Sequence, residues 1–374
     1  MMNHKKYDRS YAELSRQPIK LLNNRVWRTY TGGKNLDGWQ QKTNAQDHHF
    51  PECWALSTIT ASNVGREHIQ EGLSKLIYAG EEVSLKEVVE SDPAAFLGLR
   101  HKRKFGSSLA LLVKVLDAAE RLTIQVHPNR DFAMRMFSSA FGKTEAWYVL
   151  GGRKIDGEDP YLLFGFKPGV TCKQWRQLFK EQDIEGMTAA LHRVPLQEGD
   201  VYLVEGGVPH AIGKGCFLIE IQEPTDLTLR TERTTPNGKA VPDEACHQGI
   251  GFDKMLECFR YEALPFEETM KRWKKSPRLL SENSEGSEKA LIDYEDTDKF
   301  AMHLLEVKGS YSFDKPCGYC AAIVISGKGT LCWEGGEINF RESESFFLPA
   351  GLKNLMFKNT NHELVKIIIC YPPN

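Results

Sequence analysis

Three short segments of the chain carry side chains that together could hold a metal ion. Gln125 and His127 stand two residues apart, and in a strand this spacing places both side chains on the same face. Glu145 and His210 follow in later segments that are bordered by glycine or proline. Two imidazoles, one carboxylate and one amide oxygen form a mixed nitrogen and oxygen set that suits zinc. These four residues are therefore candidate metal ligands.

Each of these residues taken alone has a simpler explanation. A single histidine in a strand is more often hydrogen-bonded within the protein than bound to a metal, and a lone glutamate is usually solvated or ion-paired. The joint pattern favours a metal site, because each candidate lies in or beside a β-type segment and next to a glycine or proline turn.

The segment 111–230 resembles type I phosphomannose isomerases, a family of zinc-dependent enzymes with the cupin fold. Five motifs occur in the order that this family shows. They are Leu112-Val-Lys-Val-Leu-Asp-Ala-Ala119, Gln125-Val-His-Pro128, Gly142-Lys-Thr-Glu145, Pro209-His-Ala-Ile-Gly213 and Asp226-Leu-Thr-Leu-Arg230. The resemblance implies that the four candidate ligands named above bind one zinc ion per chain. It also implies reversible isomerisation of mannose 6-phosphate and fructose 6-phosphate through a cis-enediol.

Two lysines are candidates for roles beside the metal. Lys143 precedes Glu145 by two residues, so it should share the face of that carboxylate. A partly desolvated lysine close to a dication suits general acid and base catalysis, and the alternative is an ordinary surface lysine. Lys114 lies in the apolar stretch 111–116, so its charge must either reach solvent or face a polar cavity. The family pattern favours the cavity and a substrate-binding role.

Asp226 and Arg230 are four residues apart, a spacing that predicts one face of a strand. The fixed fork of an arginine suits a phosphate or an enediolate oxygen, and Asp226 could orient the arginine or the zinc-bound oxygens. A structural ion pair between the two residues is the alternative. The implied mechanism has zinc as Lewis acid, Lys143 as the leading proton carrier and Arg230 as anion stabiliser. Zinc-bound hydroxide and His127 are the other candidates for the proton.

The N-terminal segment departs from the family pattern. Family members commonly carry a Trp-Gly-Gly motif near the start, whereas here Trp27 is separated from the paired glycines Gly32 and Gly33. The intervening residues include Arg28, which could bind phosphate or could be solvated. This departure leaves room for an isomerase of a different sugar or sugar phosphate. A non-catalytic, sugar-binding regulatory protein is a further alternative, although such a protein would not need the lysine and the Asp–Arg motif.

Composition is that of a globular protein with two domains or one two-lobed body. The 374 residues carry a formal net charge of −2, which gives no general attraction to nucleic acid or to an anionic membrane. No signal region and no apolar run of about 18 residues occur. Nine scattered cysteines favour a reducing cytoplasm, and a monomer or weak homodimer is expected. Cys317 and Cys320 form a lone CxxC pair, for which a strand and its turn is the favoured interpretation.

Many short strands with glycine and proline turns predict a mainly β protein. The expected architecture is two cupin (jelly-roll) barrels, the C-terminal one smaller, with helical insertions. Residues 1–250 are the expected metal-binding catalytic domain, with a helical insert near 171–192. Residues 251–295 are expected to form a helical segment and linker, and residues 296–374 a metal-free cupin-like barrel.

Local signals predict the individual elements. Six strands of the first barrel are expected at 110–116, 122–127, 145–150, 161–166, 201–205 and 216–222. A capping box at the start of residues 84–96 predicts one helix there, and Thr171 with Gln174 opens the insert. Residues 251–275 have a helical pattern, and the hydrophilic stretch 276–297 is the expected linker or mobile loop.

A weak internal repeat relates the two barrels. Residues 198–207 and 342–351 both consist of an acidic turn, an alternating strand and a glycine turn. Three residues beyond the last glycine, the first copy has His210 and the second has Asn354. The second copy also lacks a Gln-x-His sequence, so the C-terminal barrel is predicted to bind no metal. Chance similarity of two strands with turns is the alternative.

Overall fold

The computed structural model describes residues 10–315 and 318–374. The strands are β1 (Ile19–Leu21), β2 (Arg25–Val26), β3 (Glu52–Leu56), β4 (Lys75–Tyr78), β5 (Glu81–Ser84), β6 (Leu112–Asp117), β7 (Gln125–Val126), β8 (Glu145–Gly152), β9 (Tyr161–Phe166), β10 (Leu191–Pro195), β11 (Val201–Val204), β12 (His210–Ile212), β13 (Cys216–Gln222), β14 (Leu229–Arg230), β15 (Lys274–Lys275), β16 (Arg278–Asn283), β17 (Gly286–Ile292), β18 (Ala301–Val307), β19 (Ser310–Phe313), β20 (Cys320–Ser326), β21 (Lys328–Trp333), β22 (Gly336–Arg341), β23 (Ser345–Leu348), β24 (Leu355–Asn359) and β25 (Val365–Tyr371).

Short helices connect these strands. They are α1 (Lys34–Trp39), α2 (Leu85–Ser91), α3 (Pro93–Leu97), α4 (Leu99–Phe105), α5 (Arg130–Phe137), α6 (Cys172–Glu181), α7 (Ile184–Ala189), α8 (Asp243–His247), α9 (Phe252–Glu257) and α10 (Phe266–Trp273), with a 3-10 helix at Ala12–Arg16. Strands dominate, which confirms the predicted mainly β class. Over the described ranges, no helix is both long and apolar enough to cross a membrane.

The N-terminal lobe consists of two facing antiparallel sheets. One has seven strands in the order β15-β11-β8-β13-β6-β3-β2, and the other has five in the order β10-β9-β12-β7-β14. Alternate residues of the larger sheet, such as Trp147 and Leu218, share one apolar core with Leu162 and Phe164 of the smaller sheet. This alternation is what a strand with a period of two residues produces. The candidate ligands lie at one end of this core.

The C-terminal lobe repeats the arrangement with a seven-stranded sheet, β1-β23-β20-β25-β18-β17-β16, and a four-stranded sheet, β19-β24-β21-β22. Residues such as Leu305 and Ile369 fill the space between these sheets. The outer face of the lobe's larger sheet, with Ile323 and Ile368, shares a second core with Ile219 of the N-terminal lobe. The lobes therefore pack sheet against sheet through an apolar layer.

The predicted insert begins as expected. Thr171 accepts a hydrogen bond from the Gln174 backbone while the Gln174 side chain accepts one from the Thr171 backbone, which is a complete capping box. The helix ends at Gln182, which has a positive φ of 52°, and a second short helix, α7, follows. The insert is therefore two helices before β10.

Three predicted elements have different bounds in the structure. The single helix expected over 84–96 is wrong, because Asp92 ends α2 and caps the start of α3. The helical pattern over 251–275 is divided into α9 and α10 by an irregular stretch. The strand predicted over 122–127 shrinks to the two residues of β7.

The linker or mobile loop predicted for residues 276–297 is also wrong. These residues form the hairpin of β16 and β17, which extends the large sheet of the C-terminal lobe. All six residues of β16 are exposed at the edge of that sheet, and an edge strand in water favours polar side chains. The hydrophilic composition reflected an edge position rather than a lack of structure.

The internal repeat corresponds to equivalent structure in the two lobes. Gly199 and Ser343, which align in the repeat, both have a positive φ, of 88° and 72°. Each donates its backbone N–H to a strand carbonyl, that of Val149 in β8 or that of Val324 in β20. The strands β11 and β23 follow at matching positions. Of the CxxC pair, Cys317 lies outside the described residues, and the other cysteine is buried in β20.

Candidate metal centre and active site

The four candidate ligands come from both sheets of the N-terminal lobe. Gln125 starts β7, His127 follows it directly, and His210 starts β12 on the same five-stranded sheet, where it pairs with Gln125. Glu145 starts β8 on the facing seven-stranded sheet. All four are buried, with at most 7% of their surface exposed. The two facing sheets thus bring together residues that are as many as 85 positions apart.

The donor atoms of both imidazoles converge on the carboxylate. His127 Nε2 lies 3.4 Å from Glu145 Oε2, and His210 Nε2 lies 3.5 Å from Glu145 Oε1. One ligand atom from each of these three residues falls within 4.8 Å of the others. This compactness matches a set of side chains that could share one ion.

The outer nitrogen of each imidazole is held by a backbone carbonyl. His127 Nδ1 donates to the Leu227 carbonyl at 2.9 Å, and His210 Nδ1 donates to the Val208 carbonyl at 2.9 Å. Such bonds fix the ring and leave Nε2 with its lone pair free for a metal. Burial lowers the pKa of His127 to about 4 and also lowers that of His210, so both rings are neutral at pH 7. Neutral imidazole is the form that binds metal.

The remaining polar atoms of the cluster also fit a cation. Glu145 Oε1 is buried and, among the described residues, has no hydrogen-bond partner; a buried oxygen of this kind calls for a ligand. The Gln125 side-chain amide lies 3.2 Å from His210 Nε2, and rotation of the amide would present its oxygen instead. One carboxylate, two imidazoles and an amide oxygen are a donor set that zinc accepts.

Lys143 lies beside the ligand cluster, as the sequence predicted. Its Nζ donates to Glu145 Oε2 at 2.5 Å and to His127 Nε2 at 2.9 Å. The side chain is almost fully buried, with 4% exposed, so it is not a surface lysine. Lys143 therefore places a cationic group against two of the candidate ligands.

A cavity of about 720 Å³ opens from this cluster, and Gln125 and Lys143 form part of its wall. The charged side chains that line it further along include Arg28, Glu52, Lys114, Glu220, Asp226 and Arg230, and the wall also carries Glu120, Arg121, Lys239 and Glu244. A cavity of this volume is in the range of small-molecule sites.

Lys114 faces the cavity, as predicted for a charge in an apolar strand. Its Nζ donates to Glu220 Oε1 at 3.1 Å and lies 5.0 Å from the centre of the Trp54 ring. The other oxygen of Glu220 accepts a hydrogen bond from Trp147 Nε1. The neighbouring carboxylates Glu220 and Glu52 raise the pKa of Lys114 against the effect of burial, so this residue is a fixed positive charge.

Arg230 and Asp226 line the same cavity but do not pair with each other. Asp226 lies outside β14, so the single strand face predicted for the two residues is wrong. Arg230 donates to the carbonyls of Thr228 and Ala245, and within the described chain it has no ion pair with a carboxylate. Asp226 instead pairs with Arg28 at 3.3 Å. The guanidinium of Arg230 is therefore available to an anionic ligand.

Sequence reasoning predicted Asp226 as a site residue but gave no role in the site to Glu52, the other carboxylate that contacts Arg28. Glu52 accepts hydrogen bonds from Arg28 Nε at 2.9 Å, from Tyr30 Oη at 2.8 Å and from Trp54 Nε1 at 2.8 Å. Arg28 is 8% exposed, so the alternative of a solvated side chain is wrong. The Glu52-Cys-Trp54 sequence was the available signal, because it places a carboxylate and an indole on one strand face.

Two family descriptions match this chain. "Phosphomannose isomerase type I, catalytic domain" matches residues 32–144, and "Mannose-6-phosphate isomerase, cupin domain" matches residues 291–368. Together they cover about half of the chain. The first match contains the Gln-x-His motif and Lys143, and the second lies within the C-terminal lobe.

Individual relatives agree with these matches. A probable mannose-6-phosphate isomerase of Bacillus subtilis is 26% identical over 83% of this chain and 86% of its own length. The mannose-6-phosphate isomerase of Escherichia coli is 52% identical, but only over 42% of this chain and 37% of its own length. The crystal structure of the mannose 6-phosphate isomerase from Bacillus subtilis has a TM-score of 0.72 at 22% identity, covering 95% of this chain and all of that one.

Proposed function

Because this chain belongs to the type I phosphomannose isomerase family, we propose that it is a zinc-dependent aldose–ketose isomerase that interconverts mannose 6-phosphate and fructose 6-phosphate. The observation that carries the proposal is the buried His127–Glu145–His210 cluster beside Lys143 at the end of a cavity with several charged side chains in its wall. Gln125 completes the proposed ligand set. The free thiols of the described chain agree with a cytoplasmic enzyme.

Isomerisation requires that one proton move between C1 and C2 while a carbonyl and a hydroxyl exchange places. A zinc ion held by the four ligands would supply a Lewis acid that polarises the carbonyl and favours the cis-enediol. Lys143 carries the proton, because its amine lies at the inner end of the cavity, within hydrogen-bonding distance of two proposed ligands. A positioned acid or base in such a place contributes strongly to the rate.

The other cavity residues bind and orient the sugar phosphate. Arg230 presents guanidinium N–H groups that no carboxylate of the described chain neutralises, which suits the negative charge of a phosphate or an enediolate oxygen. Lys114 is held by Glu220 and can donate to a sugar oxygen with its remaining N–H groups. Asp226 is a fixed carboxylate that can accept hydrogen bonds from hydroxyl groups.

A different six-carbon sugar or sugar phosphate is the second candidate substrate. One observation favours it: residues 28–31, which separate Trp27 from the paired glycines, place Arg28 and Tyr30 in the cavity wall. A wall that differs from the family pattern can select a different pattern of hydroxyl groups.

The proposal is tested by a coupled assay of the purified protein with mannose 6-phosphate, glucose 6-phosphate and free mannose. We expect the largest kcat/KM with mannose 6-phosphate, loss of turnover after dialysis against a chelator, and recovery when zinc is restored. A preference for another of the three sugars would change the proposed substrate but leave the proposed reaction, aldose–ketose isomerisation, unchanged. Absence of turnover with all three by the zinc-loaded protein would contradict the isomerase proposal.

A further inference from the structure

Arg28 occupies an unusual position for an arginine. It lies in the segment between Trp27 and Gly32 that separates this chain from the family pattern, and its side chain is only 10% exposed. It also lines the cavity that holds the proposed active site. A buried arginine in a cavity wall has to be matched by acceptors, because a buried charge without partners is costly.

The guanidinium of Arg28 joins three separate parts of the chain. Its Nε donates to Glu52 Oε1 at 2.9 Å, and its Nη1 donates to Asn63 Oδ1 at 3.2 Å. Its two Nη atoms also face the two oxygens of Asp226, each at 3.3 Å. Such a two-point contact with a carboxylate fixes direction as well as distance. The plane of the guanidinium is itself supported by the Trp54 ring, whose centre is 5.2 Å away.

Asp226 is held in place by these contacts. One oxygen additionally accepts the Ser62 backbone N–H at 2.9 Å. Asp226 nevertheless lines the cavity, with 13% of its side chain exposed, and a carboxylate has about four acceptor positions. Contacts to Arg28 and Ser62 use three of them, so the remaining acceptor capacity is left to a ligand in the cavity.

Arg28 balances the negative charges of Asp226 and of the neighbouring carboxylate Glu52. The negative charge of the buried Glu52 opposes ionisation of the half-buried Asp226. Arg28 and Lys114 are the cations that act against this repulsion and against burial, and together they lower the pKa of Asp226. The charge of Asp226 also acts on Arg230 and opposes the lowering of its pKa by burial, although the two side chains are not in contact. Without Arg28, Asp226 and Glu52 would be left with Lys114, which already pairs with Glu220, and with the more distant Arg230.

We infer that Arg28 is a positioning residue for substrate binding: it clamps Asp226 and Glu52 together so that Asp226 presents a fixed carboxylate to sugar hydroxyl groups. The inference rests on the proposed function, since the hydroxyl groups are those of the sugar phosphate. It adds a residue outside the family motifs to the machinery that selects the substrate. Arg28 acts through Asp226 and does not touch the reacting carbons.

The experiment compares Arg28→Gln with a matched control on the same segment. Arg25→Gln removes an arginine that is also ion-paired with a buried aspartate, Asp37 at 2.7 Å, but that does not line the cavity. We expect Arg28→Gln to lower kcat/KM for mannose 6-phosphate by about 10- to 100-fold, the size expected when a hydrogen bond to a charged group is lost. The control should lose stability without a comparable change in kcat/KM. Arg28→Lys, which restores the charge without the fork, should recover part of the loss.

A double-mutant cycle separates positioning from a merely structural role. If Arg28 acts through Asp226, the double variant Arg28→Gln with Asp226→Asn should be no worse than the more damaged single variant. Multiplicative losses in kcat/KM would mean that the two residues act independently and would overturn the inference. An effect of Arg28→Gln no larger than that of Arg25→Gln would do so as well. Zinc content is measured for every variant, so that metal loss is not mistaken for loss of the clamp.

The clamp and the proposed function can fail separately. If the wild-type protein turns over none of the sugars, the proposed function fails and the clamp is tested by the crystal structure of Arg28→Gln. We expect the Asp226 carboxylate to rotate away from Glu52 in that variant. An unchanged Asp226 would overturn the clamp without any reference to activity.

Discussion

The start of β8 in the N-terminal lobe has a direct counterpart at the start of β20 in the C-terminal lobe. Glu145 pairs with Val204 at the end of β11, and Cys320 pairs with Leu348 at the end of β23. The repeat aligns these two strand ends with each other. The proposed metal-binding carboxylate of one lobe is therefore a cysteine in the other. Burial raises the pKa of the Cys320 thiol to about 12.

The strand pairings of the two lobes also show which residues of the C-terminal lobe correspond to the cavity residues Lys114 and Glu220. In the N-terminal lobe, Lys114 pairs with Glu220 across β6 and β13. In the C-terminal lobe, His303 pairs with Ile369 across β18 and β25. A buried ion pair in one lobe thus corresponds to a half-buried histidine beside an apolar residue in the other. The two lobes share a strand framework, and they differ at the few inward positions of one end where the proposed site lies.

The largest effect is expected when a proposed metal ligand of the N-terminal lobe is replaced by the residue at the equivalent position of the C-terminal lobe. His210→Asn copies the residue that aligns with it, Asn354, and removes an imidazole from the proposed ligand set. We expect loss of most of the bound zinc and of turnover, because three remaining ligands form an incomplete shell. Metal analysis by mass spectrometry, together with the coupled assay, checks this. Full zinc occupancy in the variant would remove His210 from the site.

The next effect concerns Lys143, which aligns with a glycine, Gly318, of the C-terminal lobe. Lys143→Ala should lower kcat by roughly two to four orders of magnitude, the usual contribution of a positioned acid or base. The change in KM should be small if the lysine acts mainly in the transition state. A zinc-loaded variant with near-normal kcat would show that another group carries the proton.

Arg230→Ala serves as the comparison for Lys143→Ala. It should impair both kcat and KM if Arg230 holds substrate oxygens in the ground state and the transition state alike. Zinc content should stay intact, because Arg230 contacts none of the proposed ligands in the described structure. An effect on kcat alone would mean that Arg230 stabilises the transition state and does not contribute to binding of the substrate in its ground state.

The buried ion pair of Lys114 and Glu220 occurs in the N-terminal lobe, and its effect on the free energy of unfolding can be measured. Lys114→Met leaves a buried carboxylate, Glu220, whose remaining hydrogen-bond partner among the described residues is the Trp147 indole, and breaking a buried pair in this way costs about 3–5 kcal/mol. Adding Glu220→Gln to the variant removes the uncompensated charge and should recover much of the loss. Denaturant unfolding of the single and double variants measures both changes. A double variant as unstable as the single one would contradict the role of the charge.

The smallest effect is a pH dependence that belongs to the N-terminal lobe. Arg28 and Lys114 overcome the effect of burial and lower the pKa of Glu52 from 4.5 to about 2. A carboxylate with a lowered pKa stabilises the folded state above pH 4.5, and this contribution is lost as the pH falls towards 2. The difference in Tm between wild type and Glu52→Gln should therefore shrink as the pH is lowered from 7 to 3. A difference that stays constant would show that the charge of Glu52 contributes nothing.

The sequence predicted the scaffold and the inner end of the site better than the cavity wall. Strand alternation and turn residues were sufficient for β9 and β13, and the Gln-x-His spacing brought Gln125 and His127 together. The hairpin at residues 276–297 was missed because an exposed edge strand has the polarity of a loop. The Arg28 clamp was missed for a different reason. It joins residues 24 and 198 positions apart, and no local spacing reveals such a contact.

The metal content of the wild-type chain tests the comparison between the lobes most directly. The protein is purified without chelator, and zinc is measured against chain concentration by mass spectrometry. One tightly bound zinc ion per chain is the predicted result, with turnover lost when it is removed and regained when it is restored. Two tightly bound ions would place a second site in the C-terminal lobe. Full turnover by the metal-free protein would contradict the proposed role of His127, Glu145 and His210.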